Sequence, residues 1–145
     1  MNRYLLDLNT LLALLDPKHV FHEAAHTWVE QTSGLCWLTC PLVQNGIIRV
    51  ASHSSYPNSL GTASEVRRVL QAFCSDPRHE FCPDDISLLD TDQFIRPDLL
   101  TPSRVTDIYL LALARRHDAK LATFDRRIPA EAITGGPESL LILQS

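Results

Sequence analysis

The sequence predicts an α/β fold with a central parallel sheet, and two observations carry that reading. First, short apolar runs of strand length (3–6, 35–39, 79–82, 120–124 and 140–143) alternate with longer stretches of helical periodicity. Second, two of the runs lead directly into an aspartate, Asp7 and Asp125. Strands that alternate with helices build a parallel sheet covered on both faces. Ligands of such sheets bind beyond the carboxyl ends of the strands, which is where both aspartates fall. At 145 residues and 45% hydrophobic, residues 1–145 are expected to form a single domain with a substantial core.

The elements follow in order. RYLL is a buried strand ending at Asp7, and the apolar stretch from Leu8 is a helix that closes before Asp16-Pro17. Residues 20–31 form an amphipathic helix whose stripe is Phe21, Ala24, Ala25, Trp28 and Val29. LCWLT is the second strand, and Pro41 opens a helix, since proline at the first helical position loses no hydrogen bond. After a loop at 53–61, Thr62 and Glu65 form a capping box for a helix running to about Cys74. HEFC is the third strand, and residues 83–102 are irregular and polar. TPSRVTDIYLLALARRH carries the strongest helical pattern, with one apolar face. KLATF is the fourth strand, and LLIL adds a fifth.

Composition narrows the function. The net charge of −4 excludes a polyanion binder that works by overall basicity, so any nucleic-acid contact must be local. Eleven of the 13 basic residues are arginine, whose planar fork suits phosphate, although codon bias explains the excess equally well. Cys36, Cys40, Cys74 and Cys82 show no C-x-x-C spacing and are expected to be reduced and core-filling. The N-terminal MNRYLLDLNTLLALL is not expected to be a signal peptide, because Asp7 and Asn9 interrupt it. No run reaches membrane-spanning length, so a cytoplasmic protein is expected.

HEAAH at 22–26 matches the H-E-x-x-H pattern of helical zinc peptidases, with His22 and His26 as ligands and Glu23 as base. Such a site needs a third protein ligand. The candidates Asp16, His19, His53 and Glu65 lack the surrounding pattern, so a zinc hydrolase is the remote reading. On the helix the two histidines fall at the border of the apolar stripe, where they serve equally as ordinary boundary residues.

The carboxylates make a better constellation. Asp7 follows the first strand, Asp107 sits in the first turns of the strongest helix, and Asp125 follows the fourth strand. Each stands in an apolar context where a lone charge is costly. Singly, each could be a helix-start charge or a turn former. Together, at converging element ends, they suit a hard divalent cation with oxygen ligands.

The pattern LLDLNTLLALL, HVFHEAAHTWVE, LTCPLVQNGIIRV and VTDIYLLALARRHDAKLATFDRR resembles the PIN-domain ribonucleases, in particular the VapC-like toxins of toxin–antitoxin pairs. The resemblance covers nearly the whole chain in order. It implies a PIN-like three-layer α/β/α sandwich and Mg²⁺- or Mn²⁺-dependent endoribonuclease activity on RNA. It also implies a cognate VapB-like antitoxin and a homodimer. Asp7, Asp107 and Asp125 match the family's metal-binding acids, and Asn9 matches the small polar residue after the first. The family's fourth catalytic position, usually glutamate, is Gln44 here, which keeps a carbonyl oxygen but loses the charge. Two readings follow: a working nuclease, and a catalytically weakened module that binds RNA or antitoxin. Arg126 and Arg127 follow Asp125, Arg104 precedes Asp107, and Arg49 lies about one and a half turns beyond Gln44 on the same helix; these four are the expected RNA contacts.

Overall fold

The computed structural model describes residues 2–145. Five strands, β1 (Arg3–Leu6), β2 (Cys36–Thr39), β3 (His79–Phe81), β4 (Lys120–Thr123) and β5 (Leu140–Ile142), form one sheet. Its order is β3-β2-β1-β4-β5, and every pairing is parallel, Leu5 lying opposite both Leu38 and Leu121. The helices are α1 (Leu8–Leu15), α2 (His22–Gln31), α3 (Pro41–Ala51), α4 (Ala63–Phe73) and α5 (Val105–Arg116). The predicted α/β architecture with a central parallel sheet is the observed one.

Consecutive residues on a strand point to opposite faces. Leu5 and Leu6 in β1 are both fully buried, as are Leu121, Ala122 and Thr123 in β4, so the sheet is covered on both sides. Helix α1 packs on β4 and against α2 and α3, while α5 packs on β4 and β1. The chain builds outward from β1 through β2 to β3, then returns to place β4 on the other side of β1. That reversal opens a crevice between the carboxyl ends of β1 and β4.

Local chemistry sets the helix ends. Asp7 caps α1 by accepting from the Thr10 backbone N–H at 2.8 Å, and α4 starts with the full Thr62/Glu65 capping box. Two expectations shift. The second helix begins only at His22, because residues before it turn back: the Phe21 N–H donates to His19 Nδ1 at 3.0 Å. Helix α5 has no single apolar face, for Ile108 and all of residues 110–114 are buried. The short helical turns at 130–132 and 137–139 cover the side that the sheet does not.

HEAAH is no zinc site. His22 Nδ1 donates to the Ala13 carbonyl at 2.7 Å, and His26 Nε2 to the Leu14 carbonyl at 3.0 Å. The last four carbonyls of a helix have no partner within it, and these two belong to the last turn of α1. The four-residue spacing places both imidazoles over that helix end. Among the described residues, no three His, Cys, Asp or Glu side chains stand as a ready metal-ligand group, so the zinc reading is corrected.

Candidate active site

The crevice at the strand reversal holds a cavity of about 570 Å³ lined by Asp7, Asn9, Asp107, Asp125, Thr123 and Arg49, with α3 adding Val43 and Gly46. The three aspartates, 118 positions apart at the extremes, meet because β1 and β4 are neighbours and α5 packs across both.

Asp7 is 6% exposed. One carboxylate oxygen accepts from Thr10 N, and the other accepts from the Thr123 hydroxyl at 2.6 Å. Burial pushes its pKa up, the two threonines oppose that rise, and the Asp125 charge adds to it. Thr123 also accepts from the Asp125 backbone N–H at 3.0 Å, so one hydroxyl ties both acids to the end of β4.

Asp107 is likewise raised, first by burial and then by the charge of Asp7. Asp125 goes the other way. Burial raises it, but the Arg104 guanidinium and the backbone and side chain of Arg127 outweigh that and hold it below the ordinary carboxylate range. Arg104 Nη1 lies 2.7 Å from Asp125 and 3.3 Å from Asp107, so a single guanidinium bridges two of the three acids.

The carboxylates raise one another's pKa, and the single charge of Arg104 offsets only part of their negative charge. An all-oxygen donor set of this kind fits a hard divalent cation. Among the described residues the three acids do not stand as a ready group of ligands; Asp7, Asp107 and Asp125 are the residues that would have to draw together to hold such an ion.

Residues 4–132 match the PIN domain family. Ribonuclease VapC44 of Mycobacterium tuberculosis is 40% identical over 139 residues, covering 96% of this chain and 97% of the relative. This chain belongs to the VapC family of PIN domains. Ribonuclease VapC39 of the same organism is 38% identical over 136 residues, 94% of this chain and 98% of that one. Among solved structures, VapBC2 from Rickettsia felis bound to a DNA fragment from its promoter superimposes with a TM-score of 0.57. It is 17% identical and covers 88% of this chain and 93% of that one, a likeness of fold.

Two residues expected at the site, Gln44 and Arg104, have other partners in the structure. Gln44 does not line the cavity. Its Nε2 donates to Thr39 Oγ1 at 2.9 Å, and it borders a separate hollow with Asn45, Ile48 and Ser52. At 100° per residue, Gln44 stands about 200° around α3 from the cavity-lining Gly46. Nor do the other acids of the irregular region fill that place. Asp84 accepts from Leu42 N at the start of α3, and Asp85 pairs with His117. Arg104 is engaged with Asp107 and Asp125. Arg49 lines the rim, and Arg126 and Arg127 border an adjoining hollow.

Sequence reading missed Thr123, although a hydroxyl as the last residue of a buried strand, one residue from the turn to an acid, is a usable signal. His19 was weighed only as a zinc ligand. Its Nδ1 accepts from Phe21 N, so the ring proton is on Nε2, which donates to Asn9 Oδ1 at 3.0 Å. Asn9 therefore turns its NH₂ group, not its carbonyl, away from His19.

Proposed function

We propose that this VapC-family protein is the toxin of a toxin–antitoxin pair and a single-domain endoribonuclease that hydrolyses RNA phosphodiester bonds with Mg²⁺ or Mn²⁺. The observation that supports it is the meeting of Asp7, Asp107 and Asp125 in one cavity at the strand reversal. A divalent cation held by Asp7, Asp107 and Asp125 would supply activation of a water and compensation of phosphate charge. The chain's own residues set that stage. Thr10 and Thr123 lock both oxygens of Asp7 in place, and Thr123 fixes the backbone that carries Asp125. Arg104 offsets part of the charge of Asp107 and Asp125. Arg49 gives the rim a positive charge for phosphate. Gln44 is left out of the ligand set.

The partner would be a VapB-like antitoxin, with the toxin acting in the cytoplasm as a homodimer. No helix among the described residues is long and apolar enough to cross a membrane.

The experiment is cleavage of total RNA with Mn²⁺ by the protein and by its Asp7→Asn and Gln44→Glu variants. Cutting by the unaltered protein, lost in Asp7→Asn and unchanged in Gln44→Glu, is the expected result. Cutting only by Gln44→Glu would restore the weakened-module reading and put residue 44 back in the site. No cutting by any of the three would sink the nuclease.

A further inference from the structure

Beside the acidic cavity, and sharing Asn9 and Asp125 with it, lies a second hollow of about 490 Å³. Its other walls are Phe21, Phe124, Arg126 and Arg127. The two phenyl rings stack with centroids 4.5 Å apart and planes 14° from parallel. Phe124 is the residue between Thr123 and Asp125, so the aromatic pair is anchored one residue from the acids. Neither ring is fully buried.

The polar groups of this hollow are nearly all donors. Arg127 uses its Nε on Asp125 at 3.3 Å and is 80% exposed, leaving its two terminal nitrogens available. Arg126 makes one long contact, 3.5 Å to Gln144. Asn9 offers the NH₂ group that His19 leaves to it. An aromatic floor, two free guanidinium edges and an amide donor, continuous with a carboxylate cavity, match a nucleotide with its phosphate. They match a plain apolar ligand poorly, because such a ligand would leave the donors unpaired.

We propose that this hollow is a nucleotide subsite. It takes one unpaired base of the RNA against the Phe21–Phe124 pair, with an adjacent phosphate on Arg126 and Arg127, and so holds the chain with its next phosphodiester at the acidic cavity. The proposal rests on reading that cavity as the site of RNA cleavage, and it makes the substrate a single-stranded segment. A base held in a duplex cannot reach the rings, whereas bases in loops and ends can be splayed onto aromatic side chains. Stacking of this kind is tolerant of sequence, because every base offers a π-face. The arginines add a salt-dependent contact to the backbone.

The test is fluorescence anisotropy in EDTA at low salt, where no cutting occurs. It uses a labelled single-stranded RNA hexamer and the same ribose-phosphate chain without bases. The unaltered protein should bind the base-bearing hexamer more tightly. Phe124→Leu and Phe21→Leu should each lose roughly tenfold on that hexamer, the scale of one stacked base, and nothing on the abasic chain. Phe124→Tyr should bind as the unaltered protein does, and Arg126→Gln should weaken both oligomers alike. Thermal midpoints in the same buffer report whether the variants fold.

Equal binding of the two oligomers by the unaltered protein overturns the subsite without recourse to any variant. So does a folded Phe124→Leu that binds the hexamer normally, or that loses both oligomers in parallel, even if that variant then fails to capture a partner peptide. Cutting with Mn²⁺ but no discrimination for bases defeats the subsite alone. Neither cutting nor binding defeats the nuclease reading with it.

Discussion

Arg104 lies 2.7 Å from one carboxylate of the cavity and 3.3 Å from another, and a guanidinium so placed competes with any metal ion for the same oxygens. Replacing it with glutamine, which keeps a polar side chain but removes the charge, should tighten Mn²⁺ binding by about tenfold, the scale of one charge interaction at partial exposure. Isothermal calorimetry decides this, and unchanged or weaker binding would show that Arg104 does not compete. Asp7 makes a complementary case. Its pKa is raised by folding, so in the window above the unfolded value of 3.8 the folded state holds the extra proton. Stability therefore falls as pH rises through the folded value, and at neutral pH the ionised group is a net cost. Asp7→Asn should accordingly abolish cutting while raising the thermal midpoint at pH 7, a gain that shrinks as the pH is lowered. A lower midpoint at pH 7 would contradict it. The three acids were legible in the sequence because each interrupts or ends an apolar run. Arg104, Thr123 and His19 were not, since their roles are hydrogen bonds to residues 21, 116 and 10 positions away, which only the folded chain brings near. Gln44 misled for a related reason. Spacing alone does not fix the rotation of α3 about its axis against the cavity.

The pairing of α1 with α2 depends on histidine. Removing either imidazole strands a carbonyl of the last turn of α1, Ala13 for His22 and Leu14 for His26. His22→Ala should cost about 1–2 kcal/mol by denaturant titration, the net worth of a hydrogen bond with its partner left unsatisfied. The protein as purified without chelators should carry no stoichiometric zinc. Thr62→Ala, which opens the capping box of α4, should cost about 1 kcal/mol. Helix existence was readable throughout from periodicity and caps. The pattern around α5 was read as one-sided, because burial on its second side comes from turns at 130–132 and 137–139 that carry little periodicity of their own.

Over the whole molecule, alternation of strand and helix announced the parallel sheet. The order β3-β2-β1-β4-β5 is a different matter, for alternation is compatible with several strand orders and only packing selects one. One turn that helps to select it is intolerant of change. A Cβ at Gly136 would lie 1.7 Å from the Ala130 carbonyl oxygen, so Gly136→Ala should strongly destabilise the protein or abolish soluble expression. Response to acid is also a property of the whole chain. Folding lowers the pKa of Asp16, for which the Tyr56, Lys18 and Asn58 hydrogen bonds outweigh burial, and that of Glu80, chiefly through Arg3. Their contribution is complete above the unfolded values of 3.8 and 4.5 and is lost as pH falls below them toward the folded ones. Acid unfolding followed by circular dichroism should therefore set in below about pH 4.5, and Asp16→Asn should flatten it.

Because the cavity carries its own counter-charge in Arg104, this chain has no need to wait for an ion before it folds. Two events that are one in a zinc finger would here be separated in time: under the proposed function the polypeptide would be finished first and armed afterwards. Stripping the ion should disarm the protein and leave its shape intact. A neutralising partner could then meet a completed surface on a molecule that is still harmless.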